Sequence, residues 1–118
     1  MCGISGFLSK TILSCNSFDI ANEMANAISS RGPDSSGVWK DANSNVCFSH
    51  RRLTIIDTSD AGIQPMCSHD SRYTIVFNGE IYNHIELRNE ISIINSDIEW
   101  VGSSDTEILL ACFQKWGI

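Results

Sequence analysis

The sequence has few of the residues and patterns that mark fibrous, disordered or membrane-spanning chains. Only two of its 118 residues are proline and eight are glycine, while 42% are hydrophobic. This composition excludes collagen-like and strongly disordered proteins. No apolar run approaches the ~18 residues of a membrane-spanning helix, and the chain start lacks the basic segment of a signal peptide. We therefore predict one soluble domain with no membrane partner.

Basic residues are also scarce. Eight Lys and Arg against 14 Asp and Glu give a net charge of -6, so the chain offers no general attraction to nucleic acid or anionic lipid. The phosphate-binding patterns G-x-x-x-x-G-K-[ST] and G-x-G-x-x-G are absent, and the three histidines lack metal-ligand spacing. We expect no nucleic acid, no cofactor and no metal on this chain.

The cysteines do not form a disulfide or zinc pattern. There are five of them, an odd number, and none belongs to a C-x-x-C pair. Structural zinc sites need such closely spaced ligands. Reduced thiols in a cytoplasmic protein fit this set best.

The first half of the chain shows strand patterns around one helical pattern. Apolar residues from Phe18 onward recur at three and four positions, with Asn16 or Ser17 as N-cap. Gly and Pro then end the helix near Arg31. The predicted elements are a strand over 3–8, this helix, and an antiparallel hairpin of strands 37–40 and 46–50.

The second half combines one β-branched run with two helical patterns. Residues 73–77 form a predicted strand that ends in a strong turn signal, Asn78-Gly79. The remaining elements are a helix over 83–94 with an Asn83/Glu86 cap, an extended piece near 98–101, and a helix from about Asp105 with a Ser104/Glu107 capping box. The order of elements predicts an α+β fold with a mainly antiparallel sheet.

Cys2 is the first candidate for chemistry. Removal of Met1 would place a thiol and a free α-amine on one residue. An N-terminal amine ordinarily has a pKa of about 7.7 to 8.0, so it is partly neutral in the cytosol and can accept the thiol proton. The alternative is that Cys2 is an incidental small residue.

Two adjacent arginines, Arg51 and Arg52, close the second strand of the predicted hairpin. At least one is expected to point inward, where its fork of donors suits a substrate carboxylate. The alternative is a solvated strand end with ion pairs to Asp57 or Asp60.

Asn78 and Gly79 offer a side-chain amide and a backbone N–H at a strand end. Two rigid donors can stabilise the oxyanion of a tetrahedral acyl intermediate. The same dipeptide is also simply a favoured hairpin turn.

Asp105 and Glu80 are acidic candidates for holding a substrate ammonium group. Helix capping is the alternative role for Asp105.

In combination and order, these pieces closely resemble the glutaminase domain of asparagine synthetases, which are class II glutamine amidotransferases. The resemblance spans nearly the whole chain. It is carried by Met1-Cys2-Gly3-Ile4-Ser5, Arg31-Gly32-Pro33-Asp34, His50-x-Arg52-Leu53, Gln64-Pro65-Met66, Asn78-Gly79-Glu80-Ile81-Tyr82-Asn83 and Ser104-Asp105-Thr106-Glu107.

The resemblance implies a reaction and a set of roles. Cys2, exposed by loss of Met1, attacks the side-chain amide of L-glutamine and forms a thioester while ammonia leaves. Water then releases glutamate. The resemblance implies that Arg52 binds the α-carboxylate of glutamine and that Asn78 and Gly79 form the oxyanion hole. It also implies that Glu80 and Asp105 bind the α-ammonium group, and that the pocket is lined by the backbone of Leu53, Thr54, Ile55 and Ile56.

The resemblance also implies a wider context. The family's glutaminase domain is longer than this chain, so residues 1–118 correspond to part of an N-terminal nucleophile hydrolase αββα sandwich, incomplete at the C-terminus. The ATP-dependent synthetase domain, which receives the ammonia and makes asparagine from aspartate, lies outside it. ATP and Mg are expected only for that missing domain.

Two other functions stay open at this point. A related amidotransferase module would deliver ammonia to another acceptor, either a sugar or another carboxylate. A truncated, noncatalytic remnant would keep these residues without a working site.

Overall fold

The chain forms two compact units. We describe them from a computed structural model, which covers residues 1–11, 16–54 and 59–118. The first unit comprises the described residues of Met1–Thr54, Ile63–Pro65 and Val76–Asn78, and the second those of Ile55–Gly62, Met66–Ile75 and Gly79–Ile118. No described helix combines the length and the apolar composition that a membrane crossing requires.

A three-stranded antiparallel sheet forms the centre of the first unit. Its strands are β1 (Gly3–Leu8), β2 (Ser35–Lys40) and β3 (Val46–Arg52), in the order β1-β3-β2. The predicted strand over 3–8 and the predicted hairpin are confirmed. Gly3 pairs with Arg51 at one end of the sheet, so the register brings Cys2 to the end of β3.

Helix α1 (Ser17–Ala27) packs against all three strands. Its residues Ala21 and Ala25 are completely buried. Their small side chains let the helix approach the sheet closely. Asn16 is the N-cap, and its side chain accepts a hydrogen bond from Phe18 N–H at 3.2 Å. The predicted helix and its N-cap Asn16 are confirmed, but the helix ends at Ala27, and the predicted end near Arg31 is instead the end of a 3₁₀ turn at Ser29–Arg31.

The second unit contains a small sheet and two helices. Strands β4 (Met66–Cys67) and β5 (Thr74–Ile75) pair antiparallel. Helices α2 (His84–Ile94) and α3 (Asp105–Trp116) pack around a buried cluster of Ile91, Ile108, Ala111 and Cys112. A 3₁₀ turn spans Asp60–Gly62. In the described residues, strands pair only antiparallel, as the α+β prediction requires.

The predicted strand at residues 73–77 and its hairpin turn are largely wrong. The strand covers only Thr74–Ile75. A type I′ turn needs positive φ at both central residues, whereas among the described residues only Ser71 and Gly117 have positive φ. The Phe77 N–H donates instead to the Gln64 side chain at 2.6 Å, so this backbone has a partner outside any strand ladder.

The cap predicted for α2 is also wrong. Asn83 has φ -96° and ψ 25°, and its side chain makes no cap hydrogen bond. An N-cap side chain reaches the first turn from an extended backbone, which Asn83 lacks. The cap predicted for α3 is half confirmed, because Ser104 accepts from Thr106 N–H at 3.2 Å.

Glu107 does not complete the predicted capping box. Its carboxylate accepts from Val101 N–H at 2.7 Å and from Gly102 N–H at 3.0 Å. Residues 98–101 accordingly belong to no strand. A carboxylate from α3 takes the place of a neighbouring strand there.

Candidate active site

The Cys2 sulfur is held at the end of β3. Its thiol donates to the Leu53 carbonyl oxygen at 3.6 Å, and the Leu53 N–H donates to the sulfur at 3.4 Å. Cys2 as a whole residue is half-buried. Both contacts are to the backbone of Leu53, so the chain immediately after β3 sets the position of the thiol.

The loop after α1 holds the backbone around Cys2. The Arg31 Nε donates to the Cys2 carbonyl oxygen at 3.2 Å, and the Arg51 Nε donates to the Gly32 carbonyl oxygen at 3.0 Å. A Cβ added at Gly32 would lie 2.3 Å from the Arg51 carbonyl oxygen. Only glycine permits this approach, so the loop lies directly against β3.

Asp34 extends this arrangement to the residues after β3. Its carboxylate accepts from Thr54 N–H at 2.7 Å, and its own N–H donates to the Arg52 carbonyl oxygen at 3.0 Å. Leu53 and Thr54, both predicted to line the pocket, are half-buried here. Ile55 and Ile56, predicted for the same role, lie outside the described residues.

Arg52 is the buried arginine of the pair. It is only 9% exposed, whereas Arg51 is half-buried and faces the loop at Gly32. This confirms that one of the two arginines points inward. The burial of Arg52 contradicts the solvated side chain of the alternative interpretation. The ion pair to Asp57 in that interpretation lies outside the described residues.

His50 lies beside Arg52 in the interior of the first unit. It is 1% exposed, and neither ring nitrogen has a hydrogen-bond partner among the described residues. Burial lowers the pKa of His50, the Phe77 backbone opposes this shift, and the Arg52 charge adds to it. The ring is therefore neutral at pH 7.

Asn78, Gly79 and Glu80 are exposed and belong to no regular element. Asn78 lies in the first unit with Cys2 and Arg52, whereas Gly79 and Glu80 lie in the second. Their exposure leaves the Asn78 amide and the Glu80 carboxylate accessible to a ligand.

Asp105 is the first residue of α3 and is 7% exposed. Its carboxylate accepts from Ile81 N–H at 3.0 Å. The helix N-terminus stabilises a negative charge there. Ser104, and not Asp105, is the N-cap of this helix, so capping does not account for the buried Asp105 carboxylate.

The described residues contain no group of three metal-ligating side chains. The sequence interpretation missed contacts made by Arg31, Asp34 and Gln64. All three belong to motifs that carry the family resemblance, but local spacing gave no sign of their partners at Cys2, Thr54 and Phe77.

The whole chain, residues 1–118, matches the family model of the glutamine amidotransferase domain. The chain belongs to this family. It is 41% identical over 122 residues to asparagine synthetase [glutamine-hydrolyzing] 1 of Bacillus subtilis, and 37% identical over 97 residues to asparagine synthetase B [glutamine-hydrolyzing] of Escherichia coli. It is 32% identical over 127 residues to amidase chry2 of Gibberella zeae.

These alignments cover most of this chain but little of each relative. The covered shares are 98%, 82% and 100% of this chain, against 18%, 16% and 18% of the respective relatives. The chain thus spans less than a fifth of the length of the curated relatives it matches. The mixed α and β structure, with antiparallel sheets and helices, is consistent with a glutamine amidotransferase domain.

Proposed function

We propose that this chain hydrolyses L-glutamine to glutamate and ammonia through a thioester on Cys2. The observation that carries the proposal is the position of the Cys2 sulfur. Two backbone contacts hold it at Leu53, the residue that follows the buried Arg52 at the end of β3. A nucleophile and a carboxylate-binding cation thus share one strand end in a member of a glutamine amidotransferase family.

The first half of the reaction starts with loss of Met1, which is exposed. The new α-amine of Cys2 accepts the thiol proton, and the sulfur attacks the side-chain carbonyl carbon of glutamine. The carbonyl π electrons move to oxygen, where the Asn78 amide and the Gly79 N–H stabilise the oxyanion. The C–N bond then breaks, the N-terminal ammonium returns a proton to the leaving nitrogen, and ammonia and the thioester result.

The second half regenerates the enzyme. The α-amine accepts a proton from water, which attacks the thioester carbonyl, and the C–S bond breaks. The sulfur regains a proton and glutamate leaves. The same two oxyanion donors act in both halves, because each half passes through a tetrahedral intermediate.

Charges at the ends of the substrate determine its orientation. Arg52 binds the α-carboxylate through its planar fork of donors. Glu80 and Asp105 receive the α-ammonium, and the backbone of Leu53, Thr54, Ile55 and Ile56 lines the pocket. This set matches glutamine, which has one anion and one cation besides its reacting amide.

In a longer protein, this chain would be part of a type 2 glutamine amidotransferase domain with the αββα sandwich. It would supply ammonia to an ATP- and Mg-dependent synthetase domain or subunit that makes asparagine from aspartate. The asparagine synthetase relatives support this acceptor. The similarity to a protein named an amidase over the whole chain favours a second candidate, ammonia delivery to a different acceptor.

The test combines glutamate release with mass spectrometry after treatment with a glutamine-analogue electrophile. We expect loss of Met1, one adduct on Cys2, and no glutamate from Cys2→Ala. Cys67→Ala is the matched control because Cys67 is an exposed thiol in the second unit. Burial, together with the Glu90 charge, raises the pKa of the Cys112 thiol, so Cys112 should stay unmodified.

Two results would contradict the proposal. Retained Met1 with no Cys2-dependent adduct and no glutamate would establish the noncatalytic alternative. A labelled adduct at Cys67 that persists in Cys2→Ala would show general thiol reactivity without a glutamine pocket.

A further inference from the structure

The backbone that leads into Asn78 is held by a single buried side chain. Gln64 is 7% exposed, and its Oε1 accepts from the Phe77 N–H at 2.6 Å. The paired part of β5 ends at Ile75, so no strand ladder in the described residues includes Phe77. This hydrogen bond therefore substitutes for a ladder contact one residue before the oxyanion donor.

The Gln64 backbone is itself fixed against the central sheet. A Cβ added at Gly37 would lie 2.1 Å from the Gln64 carbonyl oxygen and 3.1 Å from the Pro65 Cδ. Gly37 lies in β2, directly opposite His50 on β3. Glycine at position 37 thus lets residues 64 and 65 rest on the sheet, and a rigid sheet supports the Gln64 side chain.

Phe77 has a second neighbour in the same unit. Its backbone lies close enough to the buried His50 ring to act on the ring's pKa. His50 lies in β3, two residues before Arg52. The Phe77 N–H is thus bound by the Gln64 amide oxygen, and the Phe77 backbone lies near the His50 ring, which belongs to the central sheet.

We infer that Gln64 is a positioning residue for the oxyanion donor Asn78, acting through its hydrogen bond to the Phe77 N–H. The inference rests on the proposed glutamine hydrolysis. Gln64 does not touch substrate in this role. Its hydrogen bond limits where the Phe77–Asn78 peptide can lie, and the direction of the Asn78 amide follows from that peptide.

The kinetic consequence is a lower kcat with little change in KM. An oxyanion donor acts on the tetrahedral intermediate and not on bound glutamine, so its displacement affects the chemical step. Loss of one such donor typically lowers the rate by about 10² to 10³. A displaced donor retains part of its effect, so Gln64→Met should lower kcat about 10-fold to 100-fold with KM within about twofold.

The experiment compares three substitutions at one position. Gln64→Met keeps the length of the side chain but removes the acceptor. Gln64→Glu keeps both the length and an acceptor oxygen, and it should restore kcat to within a few-fold of wild type. Gln64→Asn keeps the amide but is one methylene too short to reach Phe77, so it carries the test if the Met variant does not fold.

Two readouts separate positioning from a general loss of structure. Hydrogen exchange at the Phe77 amide should be slow in wild type and Gln64→Glu and fast in Gln64→Met. Asn78→Ala should lower kcat much less in the Gln64→Met background than in wild type, because the donor is already displaced. Gln114→Met, in the second unit, is the matched control and should change neither readout.

Each outcome decides the inference. Unchanged kcat in a folded Gln64→Met, or effects of Gln64→Met and Asn78→Ala that simply multiply, would overturn it and leave the proposed glutaminase intact. Fast exchange at Phe77 in wild type would show that the hydrogen bond does not hold the backbone. If wild type itself releases no glutamate while Phe77 stays protected, the proposed function fails and the inference fails with it.

Discussion

Each compact unit buries one charged side chain of the candidate site, and the two are buried in different ways. Asp105 begins helix α3, where the helix N-terminus and the Ile81 N–H both stabilise an anion. Arg52 ends strand β3, and a strand end supplies no comparable dipole. The Arg52 charge instead acts on its neighbour His50, whose pKa it helps to lower.

The two charged groups differ in what they can offer a substrate. A buried carboxylate at a helix N-terminus has a structural explanation as well as a functional one. The Arg52 guanidinium can donate two parallel hydrogen bonds to a bound carboxylate, whereas the Asp105 carboxylate already accepts a hydrogen bond from the Ile81 N–H. Substrate binding should therefore depend more strongly on Arg52 than on Asp105.

The largest expected effect comes from Arg52→Gln. Charge-assisted hydrogen bonds contribute about 1.5 to 3 kcal/mol, and 1.4 kcal/mol corresponds to a factor of ten. We expect KM for glutamine to rise about 10-fold to 100-fold in steady-state assays. Arg72→Gln, at an exposed arginine of the second unit, should leave KM unchanged. Equal KM values for Arg52→Gln and wild type would remove Arg52 from the substrate site.

A smaller effect is expected from Asp105→Asn, which removes charge but keeps an acceptor for the Ile81 N–H. KM for glutamine should rise about tenfold. Glutaramate, which is glutamine without its α-amino group, should be processed equally well by Asp105→Asn and wild type, while Arg52→Gln should impair both substrates.

Glu107→Gln is the control for this comparison. Glu107 is also buried on α3 and also accepts backbone hydrogen bonds, but it has no proposed substrate role. Its substitution should leave the ratio of glutamine to glutaramate turnover unchanged. A glutaramate defect in Asp105→Asn as large as the glutamine defect would show that Asp105 acts only on structure.

We expect His50 to make the stability of the first unit depend on pH. Because the pKa of His50 is lowered on folding, the unfolded state binds more protons below about pH 6.5. The His50 contribution is fully present above that pH and is lost as pH falls towards the lowered pKa, by at most about 1.4 kcal/mol per pH unit.

Urea unfolding at several pH values checks this. The slope of unfolding free energy against pH should decrease in His50→Asn and persist in His69→Asn, since His69 is exposed. An unchanged slope in His50→Asn would mean that other groups cause the acid sensitivity.

The smallest expected effects concern helix caps. Ser104→Ala should lower the free energy of unfolding by about 1 kcal/mol, because it removes the acceptor for the Thr106 N–H. Asn16→Ala should cost a similar amount in the first unit. Asn83→Ala should cost only a few tenths, since its side chain caps nothing. Thermal unfolding of the three variants side by side tests this order.

Local pattern predicted most of the fold. Strands β1 to β3 and helices α1 and α3 follow from apolar spacing and from caps that lie within a few residues of their targets. The failures include the strand end at Phe77, whose N–H is bound by a side chain distant in sequence, and the capping box at Glu107, whose carboxylate binds the Val101 N–H instead. Gln64 and Phe77 are 13 residues apart, which matches no helix or strand period.

The candidate site likewise contains residues that their chemical type points to and contacts that only the fold reveals. Residue type and position singled out Cys2 and Arg52 as candidates, and the structure holds the Cys2 sulfur at Leu53 and buries Arg52. The contacts of Arg31, Asp34 and Gln64 depend on the fold bringing distant backbone within reach. The sequence motifs include these residues, but they do not show which backbone groups the side chains bind.

The paired contacts between Cys2 and Leu53 have a consequence for substrate length. The sulfur cannot move along the chain without losing both of them, so these contacts set its distance from the Arg52 backbone. If Arg52 binds the α-carboxylate as proposed, this fixed sulfur position would select substrates by the separation between the α-carbon and the side-chain amide. Asparagine, one methylene shorter, would be held by the same charges with its carbonyl out of reach of the sulfur.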